Sequence, residues 1–432
     1  MSDLTPELEA EIRRIVDGPE PPKFNARQLA LELQAETPVA RGGGELFTYR
    51  HGHYRPGGRE DLLERITRKL GDDWKRRRAD ETLRYLTDSA PRLPEAPPIN
   101  RVNLRNGILD TDTGQLADHS PDFLTPTQLP VEFNPDADCP GIHRFLEETL
   151  DPETVEVVYE LAGYIITPDN SLQKAVMLIG EGANGKSTLL NVLTALVGAR
   201  NVSAVPLHRL DEDRFAPASL YGKLVNIFAD LDARALQSSS MFKAITGGDL
   251  IAGERKYSDQ FDFRPYSRLL YSANELPPTP DSSDAFFRRW LVLPFDRRFD
   301  GKSADRNLTA KLTTPAELSG LLNRGLEKLP QLRERGDFTA TTATRKAKEK
   351  FRVDSDSVAG FFADCCQLDP DARTPKPRLF PAYREWCSDN NRRPVSKQKF
   401  NRRIEALCPS LLPVTVTGTQ YWSGIRLESS DK

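Results

Sequence analysis

The sequence has few cysteines and no long apolar run, and both deficits narrow the class of protein. Its 432 residues include five cysteines, and no two of them form a CxxC pair. This pattern argues against a zinc ribbon and against a disulfide framework, and it predicts reduced, partly buried thiols. No eighteen consecutive apolar residues occur, so no membrane-spanning helix and no membrane partner are expected.

The first residues do not match the pattern of a signal peptide, and the net charge of the chain is small. Its first residues have neither the basic start nor the apolar stretch of a secretory signal peptide, which predicts a cytoplasmic protein. Lys and Arg number 60 against 63 Asp and Glu, a formal net charge of −3. Residues 341–432, however, carry 17 basic and 11 acidic side chains. This uneven distribution predicts either a polyanion contact or a solvated helical face.

Prolines divide the first third of the chain. One linker is predicted around 91–98 and a second extended region around 121–140, because proline is excluded from helix interiors and central strands. Residues 1–98 are predicted to be mostly helical, with a small β element at Leu46–Tyr54. Residues 99–140 are predicted to form a β-rich connector, with hairpin turns at Asn106-Gly107 and Thr113-Gly114.

An α/β pattern begins near residue 174. Ala175–Ile179 is fully apolar, as expected for a buried parallel strand, and Ser187–Val197 has the one-sided apolar spacing of a helix that Gly198 can end. Further strands are predicted at Leu224–Ala229, Leu269–Ala273 and Leu291–Leu293. The predicted fold class is therefore α/β, with a central parallel sheet flanked by helices.

Between the first strand and helix lies a glycine loop that matches the phosphate-binding pattern GxxxxGK[ST]. It consists of Gly180, Glu181, Gly182, Ala183, Asn184, Gly185, Lys186 and Ser187, and Thr188 follows. Glycines allow backbone N–H groups to surround phosphate oxygens, and the helix dipole adds a positive field. Lys186 is predicted to contact the β- and γ-phosphates of ATP, and Ser187 to hold Mg²⁺.

A carboxylate is expected after a neighbouring strand. Asp230 follows the apolar run Leu224–Ala229 and is predicted to hold Mg²⁺, directly or through water. Asp232 points the same way in an extended chain and is a candidate for orienting the attacking water.

Three further segments narrow the protein class. They are Phe242–Tyr257, Phe261–Pro265 and the stretch from Leu269 that contains Asn274. With the glycine loop, they resemble superfamily 3 helicases, and in particular the phage and plasmid primase-helicase group that includes a poxvirus member. The resemblance covers at least residues 100–340.

The resemblance implies an AAA+-like P-loop ATPase over residues 141–340, with ATP and Mg²⁺ as cofactors. It implies that Ile245–Tyr257 projects a β-hairpin, on which Arg255, Lys256 and Tyr257 contact DNA. It implies that Asn274 senses the γ-phosphate or the lytic water. Arg288 and Arg289 lie in the region of an arginine finger, and which of the two acts stays open. Relatives carry adjacent acids where this chain has Ala229 before Asp230, so the water-activating acid also stays open.

An arginine finger must come from a neighbouring subunit, so a homo-oligomeric ring, expected to be a hexamer, is implied. Residues 350–432 are predicted to form a winged-helix-like domain, because an aromatic helical part precedes a hairpin around Gly418. Lys397, Lys399, Arg402 and Arg403 are candidates for its DNA-reading helix, with a helical lid as the alternative.

The predicted function is an ATP-dependent helicase that moves on single-stranded and forked DNA in a viral, phage or plasmid replication system. Its expected location is the host cytoplasm or the site of genome replication. Two alternatives stay open: an ATP-switched origin-binding module that does not unwind, and part of a bifunctional primase-helicase. A primase or an origin-binding protein is a possible partner.

Overall fold

The computed structural model describes most of the chain, in two compact units that divide at Leu93 and Pro94. The described residues are 5–7, 24–232, 236, 238–256, 259–275, 277, 279, 281, 283–299, 305, 307–390, 392, 394–408, 411–416 and 418–427. Among them, no helix combines the length and the apolar character needed to cross a membrane.

The first unit combines helices with a small antiparallel sheet. Its elements are α1 (Ala26–Glu36), β1 (Val39–Gly42), β2 (Glu45–Arg50), β3 (His53–Pro56), α2 (Gly58–Leu70) and α3 (Arg76–Ser89). The sheet order is β1-β2-β3, so the β element is wider than the predicted Leu46–Tyr54. Ala30, Leu33, Leu62 and Ile66 form a buried cluster between the helices and the sheet.

The second unit opens with an antiparallel sheet and two helices. These elements are β4 (Arg101–Leu104), β5 (Gly107–Asp110), β6 (Leu116–Ala117), α4 (Pro140–Thr149) and α5 (Pro152–Ile165). The pairing of Leu104 with Gly107 closes the first hairpin over Arg105 and Asn106, so the turn lies one residue before the predicted Asn106-Gly107. Asp151 caps α5 by accepting a hydrogen bond from the N–H of Thr154, at 3.1 Å. Eleven of the fourteen residues of α5 are buried, so the helix lies inside the unit and not on its surface.

The central part of the second unit alternates strands and helices. Its elements are β7 (Ala175–Ile179), α6 (Lys186–Val197), β8 (Val202–Ser203), α7 (Arg209–Glu212), β9 (Val225–Phe228), α8 (Ser240–Gly247), β10 (Ile251–Gly253), β11 (Phe261–Phe263), β12 (Arg268–Ala273), α9 (Asp284–Phe287), β13 (Trp290–Pro294), α10 (Leu308–Leu312), α11 (Pro315–Arg335) and α12 (Thr342–Ser355).

Five of these strands form a parallel sheet in the order β13-β7-β12-β9-β8. Successive residues of β7 point to opposite faces and enter different apolar clusters. Val176 and Leu178 pack on one face, whereas Ala175 and Met177 pack on the other. Helices therefore cover both faces, and the predicted α/β class with a central parallel sheet is confirmed.

The last part of the second unit has its own apolar cluster. Its elements are α13 (Ser357–Cys365), β14 (Cys366–Pro375), α14 (Lys376–Asp389), α15 (Lys397–Leu407), β15 (Leu412–Val416) and β16 (Thr419–Leu427). We call residues 356–427 the tail. Phe361, Tyr383 and Phe400 form its predicted aromatic core, and Trp422 joins them. β15 and β16 form the predicted hairpin around Gly418.

The tail also contains a strand that the sequence analysis missed. β14 pairs with β16 at the edge of the sheet, in the order β14-β16-β15. Its Asp and Pro residues are typical of turns, so its sequence does not predict a strand. An edge strand tolerates proline because one side of its backbone forms no ladder.

Candidate functional site

The predicted phosphate, metal and sensor residues lie at the carboxyl edge of the central sheet. β12 lies between β7 and β9, so the segments that follow these three strands are neighbours. The N–H of Gly180 donates to the carbonyl of Ala273 at 3.3 Å, and the N–H of Leu231 donates to that of Ser272 at 2.7 Å. The glycine loop, Asn274 and Asp230 therefore meet at the edge where parallel α/β sheets bind ligands.

The glycine loop depends on glycine at two close approaches. A Cβ at Gly180, where φ is 153°, would overlap the carbonyl oxygen of Phe295. A Cβ at Gly185, where φ is 93°, would lie 2.9 Å from a methyl carbon of Thr149. Of the other loop residues, Glu181, Gly182, Ala183 and Ser187 are exposed and Thr188 is half-buried. The outer side of the loop is thus open to a ligand.

Lys186 is held inside the loop by neutral acceptors. Its ammonium donates to the carbonyls of Gly180 and Glu181, the latter at 3.3 Å, and to Oδ1 of Asn184 at 3.2 Å. Asn184 is anchored in turn, because its Nδ2 donates to the carbonyl of Phe295 at 3.0 Å. Burial lowers the pKa of Lys186, and the nearby charge of Asp230 opposes that shift. The ammonium is therefore placed near both the loop and the carboxylate.

Asp230 adopts a backbone conformation that is rare outside glycine. Its φ is 58°, and its N–H donates to Oγ of Ser272 on β12 at 3.2 Å. The residue ends β9 in a left-handed turn, and its side chain is exposed. Asp232 and Asn274 are exposed at the same edge. Strained residues of this kind collect at functional sites.

Carboxylate and hydroxyl oxygens are the ligands that Mg²⁺ prefers, and the ion normally completes its shell with water and substrate phosphates. At this edge of the sheet, Asp230 supplies a carboxylate and Ser187 supplies a hydroxyl group. The residues present therefore fit the predicted Mg²⁺.

The predicted DNA-binding hairpin is formed by β10 and β11, which pair antiparallel. Lys256 is exposed beyond the end of β10. Arg255 is half-buried, with its guanidinium 4.9 Å from the ring centre of Phe261 and 5.7 Å from that of Tyr221. Arg255 thus packs against the base of the hairpin. The predicted contact of Tyr257 lies outside the described residues.

Arg288 and Arg289 lie at the amino edge of the sheet, opposite to the glycine loop, and their environments differ. Arg289 is buried, and its Nε donates to Oγ1 of Thr246 on α8 at 3.1 Å. Burial, and next the charge of Arg288, lowers the pKa of Arg289. Arg288 is exposed, and its Nη2 donates to Oε1 of Gln173 at 3.0 Å.

Sequence reasoning missed the residues that hold this site in shape. Ser272 accepts a hydrogen bond from the N–H of Asp230, Phe295 anchors the glycine loop through Asn184, and Gln173 contacts Arg288 at the opposite edge. Ser272 and Phe295 lie in or beside apolar strands, where nothing in the sequence distinguishes them from core residues. Gln173 lies more than a hundred residues from its partner, so only the strand order reveals the pair.

One of the four basic residues predicted to line the DNA-reading helix does not lie on its outer face. On α15, Lys397, Lys399 and Arg402 are exposed, but Arg403 turns inward and pairs with Asp356. The side chains of this pair are 19% and 6% exposed, so Arg403 is not on the outer face of the helix. The prediction was wrong for Arg403 because helical spacing alone does not reveal an inward ion pair.

Three family models match separate parts of the chain. A family described as D5 N terminal like matches residues 22–151, and one described as Poxvirus D5 protein-like matches residues 353–420. Between them, a family of unknown function matches residues 178–289, which include the glycine loop and the hairpin.

Two viral relatives align with about half of the chain, and both are named as helicase candidates. One, from Acanthamoeba polyphaga mimivirus, is 26% identical over 210 residues, 46% of this chain and 22% of that protein. The other, from Invertebrate iridescent virus 3, is 24% identical over 236 residues, 51% of this chain and 25% of that protein. The chain therefore spans about a quarter of the length of these curated relatives.

A solved structure shares the fold. The apo structure of the NrS-1 C-terminal region superposes with a TM-score of 0.53 at 12% identity, over 91% of this chain and 97% of that one. Family models of the D5 type match both ends of the chain, and together with the viral relatives and this fold they support a poxvirus D5-like primase-helicase family.

Proposed function

We propose that this chain is an ATP-driven DNA helicase of the superfamily 3 type, which works as a ring of identical copies in a viral, phage or plasmid replication system. One observation carries the proposal. The glycine loop, Asp230 and Asn274 meet at one edge of a parallel sheet, while an exposed arginine lies at the opposite edge. That division suits a nucleotide bound between two copies.

In this proposal the central sheet is an AAA+-like P-loop ATPase core. The backbone N–H groups of the glycine loop and the ammonium of Lys186 bind the phosphates of ATP, while Ser187 and Asp230 hold Mg²⁺. When bound, the ion neutralises charge on the phosphate oxygens. Asn274 orients the γ-phosphate or the attacking water, and Asp232 is the second candidate for that water. Lys186 must exchange its carbonyl acceptors for phosphate oxygens, which carry a full charge and bind it more strongly.

Arg288 is the arginine that acts on the neighbouring copy. β13 has five residues, so at about 3.3 Å per residue the amino edge lies about 16 Å from the nucleotide edge of the same copy. Arg288 therefore cannot reach its own nucleotide and can only serve another. Arg289 has a different role, because its bond to Thr246 ties it to α8, the helix that leads into the hairpin.

The hairpin is proposed to contact single-stranded DNA inside the ring. Lys256 offers a charge for the phosphate backbone, and the neighbouring Tyr257 offers a stacking surface. Base stacking contributes about 1–3 kcal/mol per base and tolerates any sequence, as a motor must. Arg255 supports the hairpin from its base, since its guanidinium lies over two aromatic rings.

The tail is proposed to be a winged-helix-like domain. Its order of helix, strand, helix, helix and hairpin supports this assignment. The exposed Lys397, Lys399 and Arg402 share one helix and present positive charge to a duplex. Forked DNA would then contact the protein at two places, the ring channel and the tail.

A strand-displacement assay on a forked duplex tests the proposal directly. We expect unwinding that requires ATP and Mg²⁺, ATP hydrolysis that rises with single-stranded DNA, and a ring-sized particle by mass photometry. Lys186→Ala is expected to abolish ATP hydrolysis. Hydrolysis without strand displacement would instead favour an ATP-switched origin-binding module, and primer synthesis by the purified chain would favour a bifunctional primase-helicase.

The hairpin has its own test. Replacing Lys256 and Tyr257 by alanine together is expected to reduce strand displacement far more than ATP hydrolysis, because the nucleotide edge is untouched. A double variant that unwinds as fast as the wild type would remove the hairpin from the mechanism.

A further inference from the structure

Arg288 and Arg289, the two residues before β13, contact the start of β7 and the two residues that precede it. Three consecutive residues make the contacts. The Ala175 N–H donates to the carbonyl of Arg289 at 2.8 Å, the Lys174 ammonium donates to the carbonyl of Arg288 at 2.8 Å, and Gln173 accepts from the Arg288 guanidinium at 3.0 Å. The first contact extends the sheet, whereas the other two use side chains and act on Arg288 alone.

Gln173 adopts a strained backbone conformation to make its contact. Its φ is 53°, a left-handed value that costs a non-glycine residue about 1–3 kcal/mol. A hydrogen bond from its N–H to the carbonyl of Asn170, at 2.9 Å, closes the turn. Such strain persists only where the surroundings enforce it, and it is frequent at functional sites. Here it directs an amide oxygen toward the guanidinium of Arg288.

Lys174 fixes the backbone of Arg288. Its side chain is only 10% exposed, and its ammonium also donates to the carboxylate of Asp337 at 2.9 Å. Asp337 neutralises the lysine, so the bond to the Arg288 carbonyl does not leave an uncompensated charge inside the protein. The residue is thereby held from two sides, at its carbonyl and at its guanidinium.

The guanidinium itself keeps its charge available. Gln173 is a neutral acceptor, and within the described part of the chain Arg288 forms no ion pair. An arginine that is oriented by an amide, and not paired with a carboxylate, is ready to bind an anion bidentately. Arg289 lacks this freedom because it is buried against Thr246 and Ala285.

We infer that Gln173 and Lys174 are positioning residues, which hold Arg288 for the phosphates of a nucleotide bound by a neighbouring copy of this chain. The inference rests on the proposed function and specifies its trans-acting group. A guanidinium displaced by about 1 Å can cost about a hundredfold in rate. Loss of Gln173 should therefore lower kcat for ATP about tenfold to a hundredfold and leave KM unchanged, since the copy's own nucleotide edge is intact.

Mixed assemblies test this inference. Lys186→Ala copies keep Arg288 but have no working nucleotide site, whereas Arg288→Ala copies keep the nucleotide site but lack the arginine. Mixed in equal amounts with single-stranded DNA, the two variants should recover ATP hydrolysis that neither shows alone. ATP hydrolysis by Gln173→Gly should likewise be restored by Lys186→Ala copies, because these supply a correctly held Arg288. It should not be restored by Arg288→Ala copies, which have no arginine to supply.

Gln173→Gly is chosen because glycine adopts the left-handed conformation without strain, so the variant should melt no lower than the wild type. Lys174→Met is expected to behave like Gln173→Gly in the same mixtures. Recovery of Gln173→Gly by Arg288→Ala, or full activity of Gln173→Gly alone, would overturn the positioning role and leave the proposed function intact. Failure of Lys186→Ala and Arg288→Ala to recover each other would overturn the trans-acting arginine, and the positioning role with it.

Discussion

At the scale of single residues, two positions at the carboxyl edge of the central sheet adopt left-handed backbone conformations without being glycine. They are Ala183, with φ of 60°, and Asp230, with φ of 58°. Asparagine and aspartate tolerate this conformation far better than β-branched residues do. Asp230 therefore meets two requirements, because its backbone must tolerate the left-handed conformation and its side chain must supply a carboxylate. Different substitutions remove one property or both.

Asp230→Asn is expected to fold like the wild type and to lose most of its ATP hydrolysis. Asparagine tolerates the left-handed turn, so the melting temperature should change little, while ATP hydrolysis should fall by more than about tenfold without the carboxylate. Asp230→Val should lose the same activity and also be less stable by about 1–2 kcal/mol. Thermal melts and a phosphate-release assay on both variants check this, and equal melting temperatures would contradict the strain argument.

Asp281 makes stability depend on acid pH. Burial would raise the pKa of its carboxyl, but hydrogen bonds from Ser239, Ser283 and Lys243 outweigh burial and hold the pKa well below its usual range. The folded protein thus binds this proton less readily than the unfolded chain does. The stabilisation is therefore complete above the unfolded pKa of about 4 and is lost as the pH falls toward the folded value.

Asp281→Asn removes this titration and serves as the comparison. Denaturant unfolding at pH 7, 5 and 3 should give a free-energy difference between wild type and variant that is constant at the two higher values and smaller at pH 3. A difference that does not change with pH would exclude Asp281 as the source.

At the scale of elements, α5 and α11 cross at two glycines. A Cβ at Gly163 would overlap the carbonyl oxygen of Gly325, and a Cβ at Gly325 would lie 2.7 Å from the nitrogen of Gly163. Because both nearest atoms belong to backbone, the helices must move apart to admit a methyl group. This crossing packs α11 against the buried α5 and so supports one face of the sheet.

Gly163→Ala is expected to destabilise the second unit by about 1–3 kcal/mol, the usual effect of overpacking a core. Gly182→Ala is the matched control for stability, because a Cβ there has nothing within 4 Å. Melting temperatures of the two variants provide the measurement. If Gly182→Ala lowered the melting temperature as much as Gly163→Ala does, the close approach of the two helices would not be the cause of the destabilisation.

Also at this scale, the periodicity of the sequence predicted the core strands well and the tail incompletely. Ala175–Ile179 is apolar throughout and is a strand with the predicted bounds. β14 was missed because its Asp and Pro residues are typical of turns, and only pairing with β16 keeps it extended. Local pattern is decisive where both faces of a strand are buried, and weak at an exposed edge.

At the scale of the whole molecule, the apolar core on one face of the central sheet extends past residue 340, the predicted end of the ATPase domain. Phe351 on α12 is fully buried and packs on Phe286, Phe287 and Trp290, with ring centres 5.4–6.1 Å apart. The tail has its own separate cluster, which begins with Val358. α12 therefore belongs to the central sheet by packing, and the predicted domain bounds remain predictions.

Two shortened chains check where this core ends. A chain that stops after Ser355 is expected to keep a cooperative unfolding transition, whereas one that stops after Lys350 loses Phe351 and should be less stable by about 3–5 kcal/mol, as for other buried phenylalanines. Denaturant unfolding monitored by tryptophan fluorescence is suited to this, because Trp290 lies in the same cluster. Equal stability of the two chains would contradict the packing role of Phe351.

Local spacing along the chain was enough to predict the α/β class, the glycine loop with Lys186, and Asp230 as the candidate acid, because a strand, a turn and a helix each depend on residues that are close in sequence. Which of these groups lie together depends on the order of the strands, which no local pattern contains. Strand order brings Asp230 and Asn274 to the glycine loop, carries Arg288 and Arg289 to the opposite edge, and gives Arg288 its partner Gln173. Arg289 and Arg403 point inward for a similar reason. Each guanidinium is oriented by a partner that is distant in sequence, Thr246 for Arg289 and Asp356 for Arg403.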